Sequence, residues 1–389
     1  MGFWKVVCSM LAAAIADAAP SVWAQEPIKI GLLAPFSGPF AEYGKQSESG
    51  LKAFFKLNGD TVAGRKVQVI VRDSTASPEV AERLAQELVV RDKVDLFIVT
   101  GFTPETLTTA AVATEAKKPL LATLASSSGI TAKSPYLIRV ASSFAQTTIP
   151  LAAWMAKNGV KRAVTLVSDY NPGIDAENAF KSGFTSGGGE ILESVRVPLK
   201  SPEFSPFTLR VKDAKPEAVF AFVPAGDQGV GLTKSLLERG VIPAAKYATT
   251  GDLMDDHVFA TLGDAVIGSI SSGNYSVAHD SPENKAFLKA FYDANGTTLR
   301  PTFMAVHTFD AMAAVFAVAK KLNGEVDGDK FMEAIKGLKL PSPRGPITID
   351  PPTRDIVQTI YIRRVEKVGG RLENVEFEQF ADIKETGFK

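Results

Sequence analysis

From residue 28 onward, short apolar runs alternate with longer stretches whose apolar residues recur at helical spacing. Residues 28–34 form an apolar strand closed by Pro35, and residues 42–58 place Leu51, Phe54, Phe55 and Leu57 on one broad helical face. Residues 67–72 alternate apolar and polar, residues 78–91 open on Pro78 at a helix first turn, and residues 96–100, 104–116 and 119–123 read as strand, helix and strand. A second series follows, with strands expected at 163–167, 190–197, 218–223, 246–249 and 266–271 and helices at 148–158, 174–185, 204–213 and 229–239. Strands alternating with helices of this length imply an α/β fold with mostly parallel sheets covered on both faces. The pattern shifts in the last third, where residues 282–295 and 303–322 read as successive helices, and 345–349, 356–365 and 375–377 as β-ribbon. That tail suits elements returning to each half. The expected architecture is therefore two Rossmann-like lobes, residues 28–145 plus 276–345 and residues 146–275 plus 346–389.

Composition narrows the class. A chain of 389 residues, 45% hydrophobic, favours two domains. Lys+Arg and Asp+Glu both number 43, and no basic block occurs, which argues against a nucleic-acid partner. Residues 1–24 read as a secretory signal peptide, with Lys5, an apolar run over 6–15 and Val22-Trp23-Ala24 as cleavage site. No later charge-free apolar run reaches the ~20 residues of a spanning helix. The expected product is exported to the periplasm. The one cysteine, Cys8, falls in the signal, so the mature chain offers no thiol nucleophile, Fe–S cluster or Cys zinc site.

Catalytic signatures do not assemble either. There is no complete dinucleotide fingerprint, phosphate loop or nucleophile elbow, and His257, His279 and His307 lack ligand spacing. The expectation is a protein that is not an enzyme and needs no cofactor or metal. The informative residues stand at the carboxyl ends of strands, where open α/β sheets bind ligands. They are Phe36 and Tyr43 after the first strand, Phe102 and Thr103 after the third, and Ala125, Ser126 and Ser127 after the fourth. The second half adds Tyr170, then Pro224 and Ala225, then Gly251 and Asp252, then Tyr275. Hydroxyls and N–H groups near helix starts hold a carboxylate without an arginine. Plain capping and turn chemistry would also account for single members, Asp252 among them, and the tyrosines also fit partial core burial.

The order of these loops resembles the branched-chain amino-acid-binding (Leu/Ile/Val-binding) proteins of ABC importers, within the type I periplasmic solute-binding fold. Its carriers are Ile28-Lys29-Ile30-Gly31, Pro35-Phe36-Ser37-Gly38-Pro39, Tyr43-Gly44, Gly50, Val71-Arg72-Asp73-Ser74, Ser168-Asp169-Tyr170, Gly263-Asp264-Ala265 and Ser342-Pro343-Arg344-Gly345-Pro346-Ile347. The resemblance implies two lobes joined by three crossovers, a ligand in the cleft, hinge closure, an inner-membrane permease as partner and a monomer. It implies the carboxylate grip near Thr103, Ala125 and Ser127, and second-lobe contacts at Tyr170, Pro224 or Ala225, and Tyr275. The family's amino-acid binders carry an acidic residue for the ligand ammonium where this chain has Gly251, with Asp252 next door. Burying an ammonium without a partner costs several kcal/mol. The expected ligand is therefore an acid without an α-amino group, benzoate- or phenylpropenoate-like. A branched-chain or other amino acid is the alternative should Asp252 meet the ammonium; a ligand sensor or a secreted hydrolase stands further off.

Overall fold

The computed structural model describes residues 26–200 and 203–387; the expected signal, residues 1–24, lies outside the described residues. Two sheets organise the chain. The first holds β1 (Ile28–Ala34), β2 (Thr61–Val62), β3 (Arg65–Asp73), β4 (Leu96–Val99), β5 (Leu120–Ala122) and β6 (Leu137–Arg139), in the order β2-β3-β1-β4-β5-β6. All its pairs are parallel except β2 with β3. The second holds β7 (Arg162–Ser168), β8 (Glu190–Val197), β9 (Ala218–Phe222), β10 (Lys246–Thr250) and β11 (Ile270–Gly273), all parallel. To these the tail adds β12 (Lys339–Leu340), β13 (Ile347–Ile349), β14 (Ile356–Val368) and β15 (Arg371–Ile383), all antiparallel. The order is β12-β13-β14-β11-β10-β9-β7-β8, with β15 on β14.

Burial explains why the strands show in the sequence. Every residue of β4 (Leu-Phe-Ile-Val) and β9 (Ala-Val-Phe-Ala-Phe) is buried, as helix-covered parallel strands require. One core gathers Ile28, Leu96, Phe287, Val315, Ile349 and Ile356; another gathers Val164, Phe180, Phe220, Tyr247, Ile362 and Val365. β14 thus leaves one core and enters the other. Helix Phe303–Lys321 is long and apolar enough to cross a membrane, but 72% of its apolar window is buried and it lies inside the first core. It crosses helix Ala41–Asn58 so closely that a Cβ on Gly50 would stand 2.0 Å from the Ala305 carbonyl oxygen. Only glycine permits that approach.

Some elements differ from expectation. The strand expected at 266–271 begins at Ile270, because Gly268 turns the chain at φ +89°. The helix expected at 148–158 starts at Phe144, capped by the Ser143 hydroxyl, which accepts from the Gln146 N–H. The ribbon expected at 375–377 is the longer β15, joined to β14 through Gly369 and Gly370 at positive φ. β6 and helix Gly328–Ala334 carry no strong pattern of their own and fall outside the elements expected from the sequence.

A buried polar cluster ties the segments that run between the sheets. The Asn274 amide donates to Ser142 Oγ, Gln358 Oε1 and His307 Nε2, each at 2.8 Å. Gln358 Nε2 returns to Ser142 Oγ at 3.1 Å, and Arg344 Nη2 donates to the Val140 carbonyl at 2.9 Å. His307 Nδ1 meets the Thr123 carbonyl at 3.0 Å; burial and the Arg344 charge push its pKa well down, so it is a neutral bridge.

Candidate functional site

In each sheet one strand has its sequence neighbours on opposite sides: β1 lies between β3 and β4, and β7 between β8 and β9. Loops leaving such a switch point diverge and open a crevice at the strands' carboxyl ends. Here the two crevices face each other, and two adjoining chambers lie between them. The outer, about 30 Å³, is lined by Tyr43, Phe102, Thr103, Ala125, Tyr170, Pro224 and Ala225 among others. The inner, also about 30 Å³, is lined by Thr250, Gly251, Tyr275, His307 and Arg363 among others. Ser126, Phe144 and Asp252 border both. Each volume is well below the ~300–1,000 Å³ typical of small-ligand sites, so the space between the lobes is nearly closed.

The outer chamber is walled by aromatic rings from both sides. Phe40, Tyr43 and Phe102 cluster at centroid distances of 5.0–5.8 Å. Opposite, Phe222 stands edge-on to Phe144 at 4.7 Å and stacks with Tyr170 at 6.5 Å. The halves touch where the Ala225 N–H donates to Tyr43 Oη at 3.1 Å. That contact is buried, and burial raises the Tyr43 hydroxyl pKa beyond any working pH, so it stays a neutral acceptor. Below the floor, Ser47, Thr100, Thr123 and Thr308 share hydroxyl hydrogen bonds of 2.7–2.9 Å that fix the ends of β4 and β5. Replacing Tyr43 by Phe removes the interlobe hydrogen bond and keeps the ring. Ligand affinity is expected to fall about three- to tenfold, the ~0.5–1.5 kcal/mol of a neutral hydrogen bond, in titration calorimetry.

The inner chamber is polar. Arg363, on β14, is 2% exposed. Its Nε donates to Ser271 Oγ at 3.2 Å and its Nη1 to the Tyr275 carbonyl, while Nη2 has no acceptor. The guanidinium lies over two glycines. A Cβ at Gly251 would sit 2.6 Å from Nη2, and one at Gly273 3.1 Å from Cζ. Gly251 is thus the space that a buried cation occupies. Asp252 beside it is half-buried and faces both chambers. Desolvation first, then the Asp255 charge, push its pKa up to about 7, with Arg363 pulling the other way.

Most of the residues singled out from the sequence come together: Tyr43, Phe102, Thr103, Ala125, Ser126, Tyr170, Pro224, Ala225, Gly251, Asp252 and Tyr275 all line one or both chambers. Two sit elsewhere. Phe36 packs over Gly44 and lines neither chamber, because the turn at Gly38–Phe40 brings Phe40 to the cleft side instead. Ser127 lines a separate depression with Asn171 and Asp175, and its N–H reaches Thr103 Oγ1 at 3.4 Å. Tyr275 lines the inner chamber from within the core: it is 1% exposed and its hydroxyl donates to Asn284 Oδ1 at 3.2 Å. Sequence reasoning missed Phe144, Phe222 and Arg363. The paired glycines at 251 and 273, each just beyond or closing a strand, were the available signal for a large side chain lying across them.

These features have close counterparts among known proteins. A sequence model of the periplasmic binding protein family matches residues 27–370. A solute-binding protein of an ABC transporter from Rhodopseudomonas palustris BisB5, solved with 3,4-dihydroxybenzoic acid, is 48% identical with a TM-score of 0.89, covering 93% of this chain and 99% of that one. One from Rhodopseudomonas palustris HaA2, solved with p-hydroxybenzoic acid, is 38% identical with a TM-score of 0.90 over the same 93% and 99%. The Leu/Ile/Val-binding protein homolog 6 of Brucella melitensis is 36% identical over 384 residues, 98% of each chain. Two facing α/β lobes, small chambers between them at their switch points and a family match over nearly the whole chain agree: the chain belongs to the periplasmic binding protein family, in its two-lobed type I form.

Proposed function

We propose that this protein is the periplasmic capture component of an ABC-type importer and that its solute is an aromatic carboxylate. The observation that carries the ligand class is the Arg363 guanidinium over Gly251, beside an aromatic-walled chamber. A cation stands where an ammonium would need an anion. The ligand carboxylate is assigned to the Thr103 hydroxyl and the N–H groups of Ala125 and Ser126. The ring is assigned to the slot between Tyr43 and Phe102 on one lobe and Tyr170 and Phe222 on the other. The names of the two solved relatives, each with a hydroxylated benzoic acid, support this reading.

The function requires binding and release, without bond making and without a cofactor. The ligand touches both lobes only when they are closed, so it shifts an existing open–closed equilibrium. The closed form then docks as a monomer on the inner-membrane permease. We place the lobe boundaries near residues 145, 275 and 345, a reading supported by the passage of β14 and the Asn274 cluster between the two cores.

Titration calorimetry with benzoate, hydroxycinnamate, leucine and valine tests the ligand class. At least one aromatic acid is expected to bind with Kd of about 1 µM or tighter. That is roughly −8 kcal/mol, within the ceiling of ~1.5 kcal/mol per heavy atom for a ligand of about ten atoms. Mass spectrometry of the recovered ligand is expected to find it unchanged. Binding of leucine with no aromatic acid bound overturns the reading and favours the second one, an amino acid whose ammonium meets Asp252. That second reading has the Brucella melitensis relative's name and the carboxyl of Asp252 on both chambers in its favour.

A further inference from the structure

Most polar walls of the inner chamber are already committed. Ser143 Oγ accepts from the Gln146 N–H at 3.1 Å, and Ser272 Oγ donates to the Thr147 carbonyl at 2.7 Å. Both amide hydrogens of Asn274 are shared among Ser142, Gln358 and His307, and both His307 nitrogens are engaged. Three groups stay open: Arg363 Nη2 and Thr250 Oγ1, buried without partners, and the Asp252 carboxyl, which hydrogen-bonds to no other residue's side chain among the described residues. Buried donors without acceptors are costly, so an open guanidinium N–H at the end of a ligand chamber points to a ligand atom.

The pair restricts what that atom can be. Arg363 Nη2 can only donate, and a carboxylate at Asp252 can only accept. A carboxylate on the ligand satisfies the first and is repelled by the second. An ammonium satisfies the second and is repelled by the first. An aliphatic or unsubstituted ring edge satisfies neither. A hydroxyl does both, because its O–H donates while its lone pairs accept. The outer chamber, to which the ring is assigned above, shares Ser126, Phe144 and Asp252 with the inner one, so a hydroxyl on the far side of that ring would project between these groups.

We infer that the inner chamber is a subsite for a ring hydroxyl, which donates to Asp252 and accepts from Arg363 Nη2, and that the protein selects phenolic acids over unsubstituted aryl acids. The inference rests on the aromatic-carboxylate reading and names the substrate class within it. Thr250 Oγ1, open in the same chamber, gives a vicinal second hydroxyl a partner.

The test is a calorimetric series on the full mature protein with benzoate, 4-hydroxybenzoate, 3,4-dihydroxybenzoate, 4-methoxybenzoate and benzene-1,4-dicarboxylate. Hydroxylated acids are expected to bind roughly 10- to 100-fold tighter than benzoate, as hydrogen bonds to charged groups imply. The methyl ether, which accepts but cannot donate, is expected to lose most of that gain, and the dicarboxylate to bind more weakly than 4-hydroxybenzoate. In Asp252→Ala the ratio between 4-hydroxybenzoate and benzoate is expected to fall to within about threefold. The wild-type series decides the matter even if that variant does not fold. Benzoate binding as tightly as its hydroxylated relatives overturns the subsite and leaves the aromatic-acid reading standing. A methoxy or dicarboxylate ligand binding as tightly as 4-hydroxybenzoate also overturns it. Failure of every aromatic acid to bind overturns the reading beneath it.

Discussion

Asp310→Ala is expected to lower the unfolding free energy by about 3–5 kcal/mol, the cost of leaving a buried charge without its counterion. Asp310 and Arg344 are each 1% exposed, and Arg344 Nε donates to Asp310 Oδ2 at 2.8 Å. Burial raises the Asp310 pKa, and the guanidinium and the Ser342 hydroxyl oppose it. The Arg344 guanidinium also holds the Val140 carbonyl and Gln358 Oε1, and Tyr361 Oη donates to its carbonyl at 3.1 Å. Without the carboxylate, that cation remains sealed in the core beneath the interlobe segments. Asp310→Asn keeps an acceptor at the same place and should cost less. Urea denaturation followed by far-ultraviolet circular dichroism gives the comparison. A loss below about 1 kcal/mol for the alanine variant would mean that Arg344 finds another partner or water, and the pair would not be the support described.

Gly251→Asp is expected to abolish capture of aromatic acids, with affinity falling at least about 100-fold. The reason is space and charge together. Any Cβ at 251 comes within 2.6 Å of Arg363 Nη2, and the new carboxylate would take the guanidinium donor and fill the inner chamber with negative charge. A bidentate or charge-assisted pair of this kind holds a guanidinium firmly. Calorimetry measures the loss, and an unchanged thermal midpoint separates it from misfolding. Affinity within about threefold of the parent protein would place the ligand outside this chamber.

Much of the fold can be read in advance because its signals are local. β1, β4 and β9 are apolar runs bounded by breakers, and a strand buried on both faces has no other way to look. Loops at switch points follow from the strand order, which puts Tyr43, Thr103, Tyr170 and Ala225 within reach of the sequence. What depends on long-range pairing is not. Arg363 and Arg364 are neighbours on β14, and alternation sends one inward and one out: Arg363 is buried, whereas Arg364 lies 4.5 Å over the Phe377 ring. The sequence offers the pair without saying which faces the cleft; that depends on the antiparallel register of Arg363 with Ser271. Phe36 and Phe40 pose the same problem in a loop. A single turn at Gly38, φ +70°, decides which ring turns to the cleft mouth, and no periodicity reports it. The strand expected at 266–271 is displaced for a similar reason, a glycine conformation that hydrophobic pattern does not encode.

The groove at the cleft mouth draws on both lobes, with Pro39 and Ala76 on one rim and Leu199 and Gln228 on the other. From residue 26 to residue 387 the chain has no cysteine. A single thiol introduced at Ala76 could therefore be labelled without background, and a dye there would change surroundings each time the rims part or meet. Under the capture mechanism proposed above, closure on a solute would then change the emitted light in proportion to it, giving an optical gauge for dissolved aryl acids that consumes no reagent.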